Sequence, residues 1–237
     1  MSKLYIVATP IGNLEDITFR AIRILKEVDI ILCEDTRVTR VLLDRYEIKK
    51  PTLSYHQYSK LQKIDQIINL FKEGKDLALV SDAGTPGISD PGQRLIDKML
   101  EEMQGEVEVV PIPGVSAVIS ALSISGFDTD EFLFLGFPPH KKGRQTFFRN
   151  ATEEATKRTV VFYESTHRII KAFEELEQGE ERRVESEDKE GGKKMQVVAC
   201  RELTKKFETI YRGTVSEVLE KLKNDIIKGE FVVVIRK

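Results

Sequence analysis

The sequence predicts an α/β fold in two domains, with a parallel sheet in residues 1–113 and a mixed sheet in residues 114–237. Three observations predict it. In the first half, short apolar runs alternate with amphipathic stretches of helical period, the pattern of a parallel sheet covered on both faces. In the second half, apolar runs follow one another with less helix between them, which suits a mixed sheet. A length of 237 residues with 41% hydrophobic content is enough for two compact domains sharing an interface.

The elements follow in order. LYIVATP reads as a buried strand. After a turn at residues 11–13, DITFRAIRILKEVD carries Ile17, Ala21, Ile24, Leu25 and Val28 at helical spacing. The run IILC is a second strand, and Thr36 is the expected N-cap of a helix reaching Tyr46. A connection marked by Pro51 leads to Ile64, Ile67, Ile68 and Phe71, a helical stripe with Gly74 where a C-cap glycine belongs. DLALVS is a third strand, and the loop SDAGTPGISDPG follows it. A helix then presents Leu95, Ile96, Met99, Leu100 and Met103 on one face, and VEVVPIPG closes the first domain.

The second domain opens with a helix of small residues, VSAVISALSISG. Strands are expected in FLFLGF, TVVFYE, VVACRE, the alternating FETIYRG and the final EFVVVIR, with helices over 166–176 and 214–227. The stretch 177–196 is charged, contains glycine and is almost free of aliphatic residues, so it reads as a solvated connection.

Composition excludes several classes. No window approaches the roughly 18–20 apolar residues of a membrane helix, and the first twelve residues lack the features of a signal peptide. A cytoplasmic location with no membrane partner is expected. Cys33 and Cys200 lie inside apolar runs and are expected to be buried thiols. His56, His140 and His167 show no ligand spacing, so no metal is expected. Thirty-seven basic against 39 acidic residues give a net charge of −2, so nucleic-acid binding requires a local patch.

Chemistry concentrates where strands end. The loop from Ser81 to Gly92 packs glycines, prolines and aspartates into a segment that backbone-contacting ligands approach closely. TPIGN, residues 9–13, ends the first strand in a similar way, and two such strand ends side by side make a pocket. The plainer alternative for either loop is a turn. Neither matches a dinucleotide fingerprint or a P-loop, so a ligand without phosphate is expected. The cluster EDTR supplies Glu34, Asp35, Thr36 and Arg37, suited either to handling a proton or to capping a helix. PIPGVSA offers a helix start or a hinge. FYESTHR and CRELTKKFE end later strands with Glu164, His167, Arg201, Glu202, Thr204 and Lys205. His167 reads more readily as a cap or surface residue than as a catalytic base. The basic residues Lys141, Lys142, Arg144, Arg149, Lys157 and Arg158 surround Phe147 and Phe148. Together they could hold phosphates and stack a base, or form a helix that buries both rings; the helix is preferred for the rings and RNA for some of the charges.

The blocks LYIVATPIGNLEDIT, EDTR, VSDAGTPGISDPG, PIPGVSAVISALSISG, GFPP followed by KKGR, FYESTHR and RELTKKFETIYRG, in this order over nearly the whole chain, resemble the tetrapyrrole methylase superfamily, in particular its branch acting on ribosomal RNA. The resemblance implies a class III methyltransferase fold with S-adenosylmethionine in the cleft between two α/β domains, and a homodimer. It also implies 2′-O-methylation of a cytidine ribose in the decoding region of 16S ribosomal RNA, presented as RNA or as the small ribosomal subunit. By the same resemblance, the cofactor is held by Pro10 and Ile11, by Asp82, Gly84 and Thr85, by Ser116 and Ala117, and by Phe162, Leu203 and Phe231. The chain departs from its relatives in lacking the usual segment beyond GEFVVVI, which shifts the expected RNA contacts to the core, the dimer or a partner protein. It also has a longer 177–196 connection.

Methyl transfer to a 2′-hydroxyl is expected to rest on alignment in a desolvated cleft, helped by a base. Glu34, Asp35, Glu202 and Lys205 are the strand-end candidates, with Glu34 and Lys205 first. Two other readings keep the fold: methylation of a tetrapyrrole ring carbon, and a non-catalytic ribosome-binding protein.

Overall fold

The computed structural model of the chain describes residues 1–55, 61–90, 92–186 and 194–237. It divides into two compact units, Met1–Ser116 and Ala117–Lys237.

The first unit is built from β1 (Ser2–Val7), α1 (Phe19–Glu27), β2 (Ile30–Cys33), α2 (Thr36–Arg45), β3 (Thr52–Ser54), α3 (Leu61–Lys72), β4 (Leu77–Leu79), α4 (Gly92–Glu102) and β5 (Val107–Ile112). Its sheet has the order β3-β2-β4-β1-β5, and every neighbouring pair is parallel. Strand alternation sorts the apolar side chains between two layers. Leu4, Ile6, Leu77 and Leu79 pack with α3 and α4, whereas Val7, Ile31, Ala78 and Val80 pack with α1 and α2. Gly74 lies at φ +81° just beyond α3, and the N–H of Lys75 bonds the carbonyl of Leu70, as a C-terminal glycine stop requires.

Three local expectations change. Helix α1 starts at Phe19 because the Thr18 hydroxyl accepts from the N–H of Ala21. Helix α2 is capped by Asp35, whose carboxylate accepts from the N–H of Arg37, so Thr36 is its first helical residue. An ionised Asp satisfies an orphan N–H at a positive helix end better than a hydroxyl does. The connection after Pro51 contains the short edge strand β3.

The second unit comprises α5 (Ala117–Ser123), β6 (Phe132–Phe134), α6 (Arg144–Glu154), β7 (Thr159–Ser165), α7 (Ile169–Ser186), β8 (Gln196–Arg201), β9 (Thr209–Thr214), α8 (Val215–Lys223) and β10 (Glu230–Arg236). The order β6-β7-β10-β8-β9 places the last strand in the middle. Only β6 and β7 pair in parallel, so the sheet is mixed. Central placement explains why EFVVVIR is apolar almost throughout: five consecutive residues, Phe231 to Ile235, are buried. Helix α8 begins with a reciprocal capping box between Thr214 and Glu217. It ends at Lys223, earlier than the expected 227.

The largest departure is α7, which begins at Ile169 and continues to Ser186 through the stretch read as a solvated connection. Glu and Arg are good helix formers, and a helix lying on a surface needs only one apolar stripe. Residues 187–193 of that connection lie outside the described residues. Among the described residues no helix is long and apolar enough to cross a membrane. Both cysteines are buried; burial raises the Cys33 thiol and pushes Cys200 up to about 12.

Candidate functional site

The loops after the adjacent strands β1 and β4 lead to opposite faces of the first unit's sheet, β1 to α1 and β4 to α4. Ligand crevices of open parallel sheets lie at such a divergence, beyond the strands' carboxyl ends. Here the two loops are stitched together. The N–H of Thr9 donates to the carbonyl of Gly84 at 2.8 Å, and that of Gly84 returns a bond to Thr9 at 3.1 Å. The Thr9 hydroxyl donates to the Ser81 carbonyl at 3.1 Å. Gly84 sits at φ +80°, and a Cβ there would lie 3.5 Å from Ile11 Cγ2 and 3.9 Å from the carbonyl of Val115. The Thr85 hydroxyl donates to the same carbonyl. Pro10, Ile11, Asp82, Gly84 and Thr85 are therefore brought together with the end of β5, next to Ser116. A turn that only reversed direction would need none of these bonds between loops.

Carboxylates gather at the same strand ends. The N–H of Asp35 donates to Asp82 at 3.1 Å. Arg37 holds Asp35 down to about 2, so Asp35 is spent on capping and pairing. Glu34 differs. Burial raises its pKa, the charges of Asp82 and Asp90 raise it further, and a bond from the N–H of Asp82 only partly opposes them. Asp90 is also raised by burial, although it accepts from the N–H groups of Gly87 and Gly92 at 2.7 Å each. The sequence reading did not single out Asp90; its signal was an Asp poised to bond backbone on both sides within a glycine loop.

In the second unit, RELTKK closes β8 with two non-glycine residues in left-handed backbone, Glu202 at φ +50° and Thr204 at φ +66°. For β-branched Thr204 this is a strained conformation. Lys205 Nζ lies 2.9 Å from Glu202 and 3.5 Å from Glu230. Gly229 makes room for the Glu202 carboxyl group, since a Cβ there would fall 2.2 Å from Glu202 Cδ. Burial opposes the Lys205 charge, but the two carboxylates more than offset it and the pKa is raised. The two carboxylates thus favour the ammonium form of Lys205, which offers a fixed positive charge.

Phe162 and Phe231 are core side chains of this unit. Phe162 makes edge contacts with Phe147 and Phe148, and Phe231 lies against Tyr211. What they can offer a ligand is backbone. Leu203 is buried between the two left-handed residues, and Ala117 opens α5. His167 is exposed in the turn before α7.

The basic cluster is divided by the structure. Phe148 is buried and Phe147 packs against the core, as a helix requires. Arg144 is 3% exposed and paired with Glu164 and Glu175, so it faces the interior. Lys157 pairs with Glu153 and Glu154, and Arg158 with Glu131 and Glu154. Lys141, Lys142 and Arg149 remain exposed.

Residues 3–219 match the family of tetrapyrrole (corrin/porphyrin) methylases. The chain belongs to this family. It is 43% identical over 234 residues to ribosomal RNA small subunit methyltransferase I of Halalkalibacterium halodurans, covering 98% of this chain and 75% of that one. It is 42% identical over 237 residues to the protein of the same name from Thermotoga maritima, covering 99% and 98%. Among solved structures, the methyltransferase CobJ superposes with a TM-score of 0.70 at 15% identity, over 100% of this chain and 95% of CobJ. That likeness concerns the fold.

Enzymes of this family take the methyl group from S-adenosylmethionine. The first unit's loops fit such a group. Gly84 leaves a cradle that a side chain would fill, and Glu34, Asp82 and Asp90 set a negative field beside it, which favours a sulfonium cation. Gly84→Val forces a β-branched residue into left-handed backbone, at a cost of at least about 1–2 kcal/mol. The variant is expected to melt earlier and to lose S-adenosylmethionine binding in calorimetry.

Proposed function

We propose that the chain methylates the 2′-oxygen of a cytidine ribose in the decoding region of 16S ribosomal RNA, acting in the cytoplasm as a homodimer. The observation that carries the reading is the 42–43% identity to two ribosomal RNA small subunit methyltransferases across essentially this whole chain. S-adenosylmethionine, when bound, supplies an electrophilic methyl group on sulfur. Pro10, Ile11, Asp82, Gly84 and Thr85 bind it, with Ser116 at the end of the first unit and with Ala117, Phe162, Leu203 and Phe231 contributing from the second. Glu34 takes the proton of the attacking 2′-hydroxyl; its raised pKa makes it a stronger base than an ordinary carboxylate. Lys205 stays charged throughout and orients an anionic group of the substrate.

Mass-spectrometric mapping of ribose methylation in ribosomal RNA, from cells with and without the gene, tests the reading. One cytidine of the decoding region is expected to lose its 2′-O-methyl group in the deleted strain. An unchanged methylation map, or methyl transfer by the purified protein to a tetrapyrrole instead, would overturn it.

A further inference from the structure

In the segment from Phe137 to Gly143, Phe137 and the run His140 to Gly143 are exposed around a buried Pro138 and a half-buried Pro139. We propose that this segment is a contact for single-stranded RNA, with Phe137 stacking on a base and Lys141 and Lys142 on flanking phosphates. The inference deepens the ribosomal RNA reading and rests on it for the identity of the strand.

The ring of Phe137 is 50% exposed. Its covered side lies against Tyr163, with ring centroids 5.1 Å apart, and Tyr163 is braced in turn by Phe134 at 5.0 Å. The ring is therefore fixed before any ligand arrives. His140, Lys141 and Lys142 follow on the exposed side of the same loop.

Two arginines anchor the loop from beneath. Arg168 donates to the carbonyl of Pro138 at 3.1 Å, and Arg144 reaches that of Pro139 at 3.4 Å. Both pair with the two oxygens of Glu164, which is fully buried. A solvated turn does not require a buried charge network. A loop that must present a ring and two ammonium groups in fixed relation does, because preorganisation removes the ordering cost of binding. Aromatic faces accept any base, and lysines follow the backbone without reading sequence, which is the composition of a single-strand contact.

The test uses the full chain, a fluorescein-labelled oligocytidylate and fluorescence anisotropy over a range of salt concentrations. Phe137→Ala is expected to bind about tenfold more weakly with the salt dependence unchanged, and Phe137→Tyr to bind as the unaltered protein does. The variant carrying Lys141→Ala and Lys142→Ala is expected to bind more weakly, with a log–log salt slope shallower by about 1.4, roughly 0.7 for each phosphate contact. All three should keep the melting temperature and the S-adenosylmethionine affinity of the unaltered protein. Variants that match the unaltered protein in affinity and slope, or an unaltered protein that does not bind the strand, would overturn the proposal. Equal loss of affinity for a duplex of the same length would overturn the stacking role of Phe137. The two readings fail separately. If small subunits receive no methyl group while the oligocytidylate results come out as expected, the ribosomal substrate is wrong and the RNA contact stands. If methylation proceeds and the loop variants are indistinguishable in binding, the contact is wrong.

Discussion

Glu164→Gln is expected to destabilise the second unit by about 3–5 kcal/mol, the loss typical of breaking a buried ion pair from one side. Glu164 is 0% exposed and Arg144 3% exposed, with Arg144 at 3.0 Å and Arg168 at 2.8 Å on separate carboxylate oxygens. Glu175, 2.7 Å from Arg144, completes two acids against two bases. Gln keeps the shape of Glu but leaves Arg144 with Glu175 and takes from Arg168 its carboxylate at 2.8 Å. The energy at stake is mostly the desolvated charge left behind rather than the attraction lost. Because the chain has two compact units, a single melting curve does not report on one of them. Amide hydrogen exchange over Thr159–Ser165 and Glu230–Arg236 reads the second unit directly. Unchanged protection in these strands of Glu164→Gln would show that the network contributes nothing to stability.

That network was also the least legible part of the sequence. Arg144 stands in a run of basic residues, and composition treats KKGR as one patch. Only the start of α6 at Arg144 turns this guanidinium inward while Lys141 and Lys142 remain exposed on the preceding loop. The strands were readable because burial on both faces leaves a plain mark, as in IILC and EFVVVIR, and the loops after β1 and β4 because glycine and proline at strand ends have few other uses. Helix α7 was misread because its second half carries charge where periodicity looks for aliphatic residues. Thr36 and Asp35 are both good caps, and choosing between them depends on where the chain turns after β2. The setting of Lys205 was readable only in part: Glu202, the leading carboxylate on it, is three positions away, whereas Glu230 is 25 positions along the chain and is brought near by the pairing of β10 with β8.

Glu34→Gln separates the two uses of the acidic strand end, because activity and stability should move in opposite directions. Glutamine retains an oxygen for the bond from the N–H of Asp82 but cannot take a proton. If Glu34 is the base, the methylation rate on small subunits should fall by about 10²-fold or more, with S-adenosylmethionine affinity little changed. Stability should rise at neutral pH. Burial, Asp82 and Asp90 all disfavour the Glu34 charge and raise its pKa above that of the unfolded chain. The stability associated with protonated Glu34 is therefore fully present below the unfolded pKa and lost as pH rises through the folded one. A neutral amide avoids that loss, so Glu34→Gln should melt higher than the unaltered protein above this window and converge with it below. The methylation rate of the unaltered protein should decline as pH falls through the same window, since only ionised Glu34 accepts the 2′-hydroxyl proton. A variant with full activity would remove Glu34 from the chemistry. A variant that melts lower at neutral pH would show instead that the carboxylate is stabilised by contacts that the burial and charges around it do not predict.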